Sequence, residues 1–160
     1  MSLHFIIDGY NLIKQAPSLN KGSLEESRLG LIQFLKIFRP QGNNNPVTVV
    51  FDGKKDNYQS GQNFEHSGVR IIFSQNPGGA DEIIKQLVRN SKNPKNIAVV
   101  TNDRDIQLYV RQCRAQVRRV EEFLIKFNSR QPGLSLDDKM RLSAQEAAEI
   151  TEEMKKLWLK

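Results

Sequence analysis

The chain has 160 residues, 38% hydrophobic and 26% charged, a balance that excludes a disordered chain and fits one globular domain with a core of useful size. No apolar run approaches the length of a bilayer span, and Cys113, the single cysteine, excludes an intramolecular disulfide and a cysteine-rich zinc site. A formal net charge of +6 favours a polyanionic partner over a cationic one.

Leu3–Asp8 is a largely apolar run of strand length with no basic leader or cleavage signal before it, so the expected compartment is the cytoplasm. Gly9 closes the run and reads as permitting a tight turn. Ser23 and Glu26 stand in capping-box spacing ahead of Leu29, Leu31, Ile32, Leu35 and Phe38, which predicts a helix broken by Pro40 and the Gly-Asn-Asn-Asn-Pro stretch. Val47–Phe51 predicts a second strand, residues 53–68 an exposed polar loop, and Val69–Phe73 a third strand followed by an Asn76-Pro77-Gly78-Gly79 turn.

Asp81 and Glu82 then open a helix carrying Ile83, Ile84, Leu87 and Val88, with acids at the end the helix dipole favours. Ile97–Val100 predicts a fourth strand, Asp103–Arg111 a helix, Val117–Val120 a short fifth strand and Glu121–Phe127 a short helix. Residues 129–136, with Pro132 and Gly133, read as a linker, and Leu142–Leu159 as a final amphipathic helix capped by Ser143 with Glu146. The expected organisation is a domain over 1–128 and a segment over 129–160 that packs on it or serves for docking.

Strands alternating with helices predict a parallel sheet with right-handed crossovers, whose ligand crevice lies beyond the carboxyl ends of the strands. Asp8, Asp52 and Asp103 fall at or just past such ends, and Asp81 lies on a loop reaching the same edge. Carboxylates gathered in this way repel one another unless a cation or a proton intervenes. Hard oxygen donors suit Mg²⁺ or Mn²⁺, and such an ion, with a Lys or Arg nearby, suits hydrolysis of a phosphodiester.

Each acid also has a plainer reading. Asp8 and Asp52 can start turns, and Asp81 is an ordinary acid for a first helical turn. Of Asp103 and Asp105, one serves that same purpose; Asp103 is favoured as the ligand, with Asp105 behind it or on a second ion. Asn11 is placed to hydrogen-bond a ligand carboxylate or the scissile phosphate, and the Thr101 hydroxyl to fix the loop that holds Asp103. His4 and His66 lack partners at metal spacing.

Six of the 24 basic and six of the 18 acidic residues lie from Ser129 onward, so the tail is neutral. Setting aside Asp8, Asp52, Asp81, Asp103 and Asp105, the first 128 residues keep eighteen basic against seven acidic groups. An acidic pocket in a basic body is what a metal-dependent enzyme for a polyanion requires. The expected contacts to that polyanion are Lys54, Lys55 and Tyr58 on the polar loop, Tyr10 for stacking on a base, and Arg104 from the Arg104, Arg111, Arg114, Arg118 and Arg119 series.

Asp8-Gly-Tyr-Asn-Leu-Ile, Val50-Phe51-Asp52-Gly53, Gly79-Ala80-Asp81-Glu82 and Thr101-Asn102-Asp103-Arg104-Asp105 together resemble the motifs of the YacP-like NYN branch of PIN-type ribonucleases, in order from Leu3 to Phe127. The resemblance implies an α/β fold of PIN type, a three-layer α/β/α sandwich with a mainly parallel sheet of four to five strands. It further implies a Mg²⁺- or Mn²⁺-dependent endoribonuclease with Asp8, Asp81 and Asp103 as catalytic, metal-holding acids. Asn11, Asp52 and Asp105 are implied as supporting members. A bacterial branch of the family associates with the ribosome and cuts mRNA, which makes RNA the expected partner, with mRNA and the ribosome behind it, and no membrane. The chain departs from the family pattern at Asn102, where Ser is usual, and at Gly79, where Thr is usual.

The expected assembly is a monomer or a weak homodimer. Two other readings stand beside the endoribonuclease: a non-catalytic RNA- or ribosome-binding module that keeps the fold, and a phosphohydrolase with an aspartyl nucleophile. Tyr10 stands where the latter commonly has a second acid.

Overall fold

The computed structural model describes residues 2–20, 23–42, 44–53, 63–66, 68–74, 79–130 and 133–148. Its sheet runs in the order β3-β4-β2-β1-β5-β6, with strands β1 (His4–Asp8), β2 (Val47–Phe51), β3 (Asn63–His66), β4 (Val69–Phe73), β5 (Ile97–Val100) and β6 (Gln116–Arg118). Five strands are parallel, and β3 adds to β4 antiparallel at one edge.

Alternation along the strands assigns side chains to two cores. Phe5, Ile7, Val49, Phe51, Ala98 and Val100 face one core; Ile6, Val50, Ile97 and Val99 face the other. Helices α2 (Leu24–Phe38), α5 (Val120–Arg130) and α6 (Leu136–Ala148) contribute to the first core, and α3 (Ala80–Arg89) and α4 (Arg104–Gln112) to the second. With both faces covered, the molecule is a three-layer α/β/α sandwich. From β1 the chain steps outward through β2 to β4, then returns to β5 on the other flank of β1. That reversal opens a crevice beyond the carboxyl end of β1.

Several sequence expectations are corrected. Residues 53–68 are not wholly loop, because Asn63–His66 pairs with β4. A polar edge strand carries no long apolar run to announce it. Gly9 makes no tight turn: it begins a short helix, α1 (Gly9–Lys14). A Cβ there would overlap the ring of Phe51, so the residue is small for packing. The fifth strand ends at Arg118, and Val120 already starts α5.

The last helix starts at Leu136, not Leu142, and its cap is Ser135, whose Oγ accepts from the Asp138 N–H at 3.1 Å. Ser143 lies inside the helix, buried, and its Oγ donates to the Lys139 carbonyl at 3.0 Å. α6 packs along α2 with Met140 and Ser143 inward, and Ser18 donates to the Asp137 carboxylate. Residues 149–160 lie outside the described part of the chain. Among the described residues no helix is long and apolar enough to cross a membrane.

Candidate acidic active site

Asp8 ends β1, Asp52 follows β2, Asp81 lies in the first turn of α3, and Asp103 stands between β5 and α4. All four line one open pocket of about 270 Å³ at the carboxyl edge of the sheet, together with Tyr10, Asn11, Lys14, Ala80 and Ile106. A larger cavity of about 470 Å³, with His4, Arg39 and Arg70 in its wall, opens at the opposite edge and is remote from these acids.

Thr101 ties two of the acids together. Its buried hydroxyl donates to Asp8 Oδ2 at 3.1 Å and accepts the Asp103 N–H at 3.1 Å. Gln107 Nε2 holds the Thr101 carbonyl from α4 at 2.8 Å. Asn102 secures the same loop on two sides: its N–H donates to Asn11 Oδ1 at 2.9 Å, and its Oδ1 accepts the Val120 N–H at 2.9 Å. Its Nδ2 also donates to Glu121 Oε1 at 2.7 Å. The β5–α4 loop is thereby fixed to α1 and to the start of α5.

Burial raises the Asp8 carboxyl to about 6, and the charges of Asp52 and Asp103 push the same way; the Thr101 hydroxyl and the Asn11 backbone amide oppose them. The other acids each spend one oxygen on backbone. Asp52 Oδ1 accepts the Ala80 N–H at 2.9 Å and so fixes the start of α3, which carries Asp81. Asp81 Oδ1 accepts the Glu82 N–H at 2.8 Å. Asp103 caps α4, its Oδ1 accepting from the Asp105 and Ile106 amides at 2.9 and 3.3 Å.

Among the described residues no three acidic, His or Cys side chains converge closely enough to share an ion directly. The donor set still fits a hard divalent cation held by one or two carboxylates with water completing its shell, as Mg²⁺ prefers. All four carboxylates line a single pocket, and burial, with the neighbouring charges of Asp52 and Asp103, leaves Asp8 with a raised proton affinity.

Other sequence candidates fare differently. Asn11 lines the pocket, but its Oδ1 is engaged with the Asn102 amide. The Tyr10 ring packs on Phe51 at 5.2 Å between centroids, and its hydroxyl accepts from Arg28 Nε at 2.6 Å. Arg28 is itself fully buried, its guanidinium 5.4, 5.9 and 5.3 Å from the Tyr10, Phe51 and Phe73 ring centroids. Asp105 and Arg104 are exposed in the first turn of α4 and do not line the pocket.

Gly79 adopts φ −82°, a conformation open to any residue, so the Asp52–Ala80 bond, not glycine freedom at that position, sets the approach of Asp81. The arginines do not form one group. Arg111 lies in the last turn of α4 and Arg114 just beyond its end, and Arg119 pairs with Glu122 at 3.1 Å. Lys54, Lys55, Tyr58 and Gly78 lie outside the described residues. Lys14 also lines the pocket, and a helix as short as α1 gives little periodic signal to mark it in the sequence.

The fold has known counterparts. The model of the YacP-like NYN domain family matches residues 5–158. A crystal structure of a point mutant of Rae1 (YacP) from Bacillus subtilis superposes with a TM-score of 0.62 at 26% identity, over 100% of this chain and 94% of that one. A second crystal structure of Bacillus subtilis Rae1 (YacP) gives a TM-score of 0.58 at 26% identity, over 98% and 85%. No curated protein matches the sequence significantly.

Proposed function

This chain belongs to the YacP-like NYN domain family, a family of nuclease type, and on that premise we propose that it is a Mg²⁺- or Mn²⁺-dependent endoribonuclease. The observation that carries the reading is the convergence of Asp8, Asp52, Asp81 and Asp103, from four separate places in the chain, on one pocket at the sheet edge. Asp8, Asp81 and Asp103 would hold the ion between them, one or two directly and the rest through its coordinated water, with Asn11, Asp52 and Asp105 in support. A bound ion would polarise the phosphate and lower the pKa of a coordinated water.

The protein's own part is positional. Thr101 sets the spacing of Asp8 and Asp103, Asp52 fixes the helix that presents Asp81, and Asn11 pins the loop between β5 and α4. Hydrolysis adds the water oxygen to phosphorus and expels a ribose oxygen, and the pocket carboxylates are the proton acceptors at hand. The excess of basic over acidic groups outside the site supports RNA as the polyanion, and Lys54, Lys55, Tyr58, Tyr10 and Arg104 remain its proposed contacts. We extend the proposal to a cytoplasmic protein acting on mRNA at the ribosome.

The test is incubation of the full chain with single-stranded and structured RNAs, with and without Mn²⁺. Cleavage is expected only with the metal, and Asp81→Asn is expected to lower the rate at least about 100-fold while RNA binding and melting temperature persist. Retained RNA that is never cut would identify a binding module. Parallel loss of binding and folding in Asp81→Asn would make the acid structural.

A further inference from the structure

Lys14 closes α1, three residues after Asn11 and four after Tyr10, so the three share a face of that helix. All three line the acidic pocket, and Lys14 is the one cation among the described residues that do so. Its side chain is exposed, and no ion pair holds it among the described residues although four carboxylates line the same pocket. A basic residue in a last helical turn is favoured by the dipole, but the dipole does not require it to form a pocket wall. An ammonium on a flexible stem is a point charge suited to a phosphate oxygen. Without it, the described wall offers an approaching phosphodiester four carboxylates and no cation.

We propose that Lys14 is a substrate-binding residue whose ammonium takes a non-bridging oxygen of an RNA phosphate at the mouth of the pocket. The proposal rests on the reading of the chain as an RNA-cleaving enzyme and adds to it the group that admits the anion. Lys14→Met keeps the stem and removes the charge, whereas Lys14→Arg keeps the charge.

Lys14→Met is expected to lower kcat/KM about 10- to 100-fold, chiefly through KM, with Lys14→Arg retaining most of the activity and neither variant losing thermal stability or Mn²⁺ affinity. In an Asp81→Asn background, Lys14→Met is expected to flatten the log–log salt dependence of single-stranded RNA binding by about 0.7, the loss of one phosphate contact. Unchanged kcat/KM together with an unchanged slope overturns the proposal, as does an equal loss in both variants accompanied by a lower melting temperature. A chain that binds RNA without cutting it sinks the endoribonuclease reading and leaves the slope as the measure of Lys14. A chain that neither binds nor cuts RNA sinks both.

Discussion

Burial, joined by the charges of Asp52 and Asp103, holds the Asp8 carboxyl protonated up to about pH 6, against an unfolded value of 3.8. The folded state therefore binds the proton more tightly than the unfolded state between those values, and stability falls as pH rises through that window. The loss amounts to about 3 kcal/mol and is complete above pH 6. Thermal melts in EDTA are expected to show this decline, and Asp8→Asn is expected to abolish it, melting higher than the parent at pH 7.5 and near it at pH 4. A variant that melts lower at both pH values would show that Asp8 is tolerated at no cost. The acids themselves were legible in the sequence because each follows an apolar run or opens a helix. The Thr101 hydroxyl shared by Asp8 and Asp103 was only partly legible: its link to the Asp103 loop is local, whereas its bond to Asp8 spans 93 residues and leaves no local pattern.

Helices α1, α4 and α5 meet through Asn102, which serves as a cap supplied from outside α5 by accepting the Val120 N–H. Asn102→Ala is expected to cost about 1–2 kcal/mol in chemical denaturation, since it removes that cap and the bond to Glu121. It is also expected to lower cleavage more than a comparable loss of stability elsewhere, because the same loop carries Asp103. Denaturation unchanged within error would refute the capping role. At this scale the parallel strands were readable because burial on both faces makes them apolar throughout. The edge strand β3 and the start of α6 were not. Asn63–His66 is polar, and both Ser135 and Ser143 sit in capping spacing, so only packing against α2 decides between them.

Across the whole molecule, α6 completes the core that α2 begins, with Met140 buried beside Phe34, Phe127 and Leu35 in one cluster. Truncation after Asn128 is expected to lower the melting temperature by at least roughly 10 °C or to abolish cooperative unfolding. A truncated chain that melts like the parent would show the first 128 residues to be self-sufficient. The fold class was legible from alternating strands and helices, whereas the partner of the last helix depends on contacts that no periodicity encodes.

The sheet order also has a consequence for synthesis. β1 is made first and lies at the centre, yet its neighbours β2 and β5 begin only at Val47 and Ile97, and Asp103 follows later still. A nascent chain thus carries its acids one at a time, and the pocket closes only when the last of them has been translated. If the chain cuts RNA, a nascent product that stops short of Asp103 lacks the full set of pocket acids.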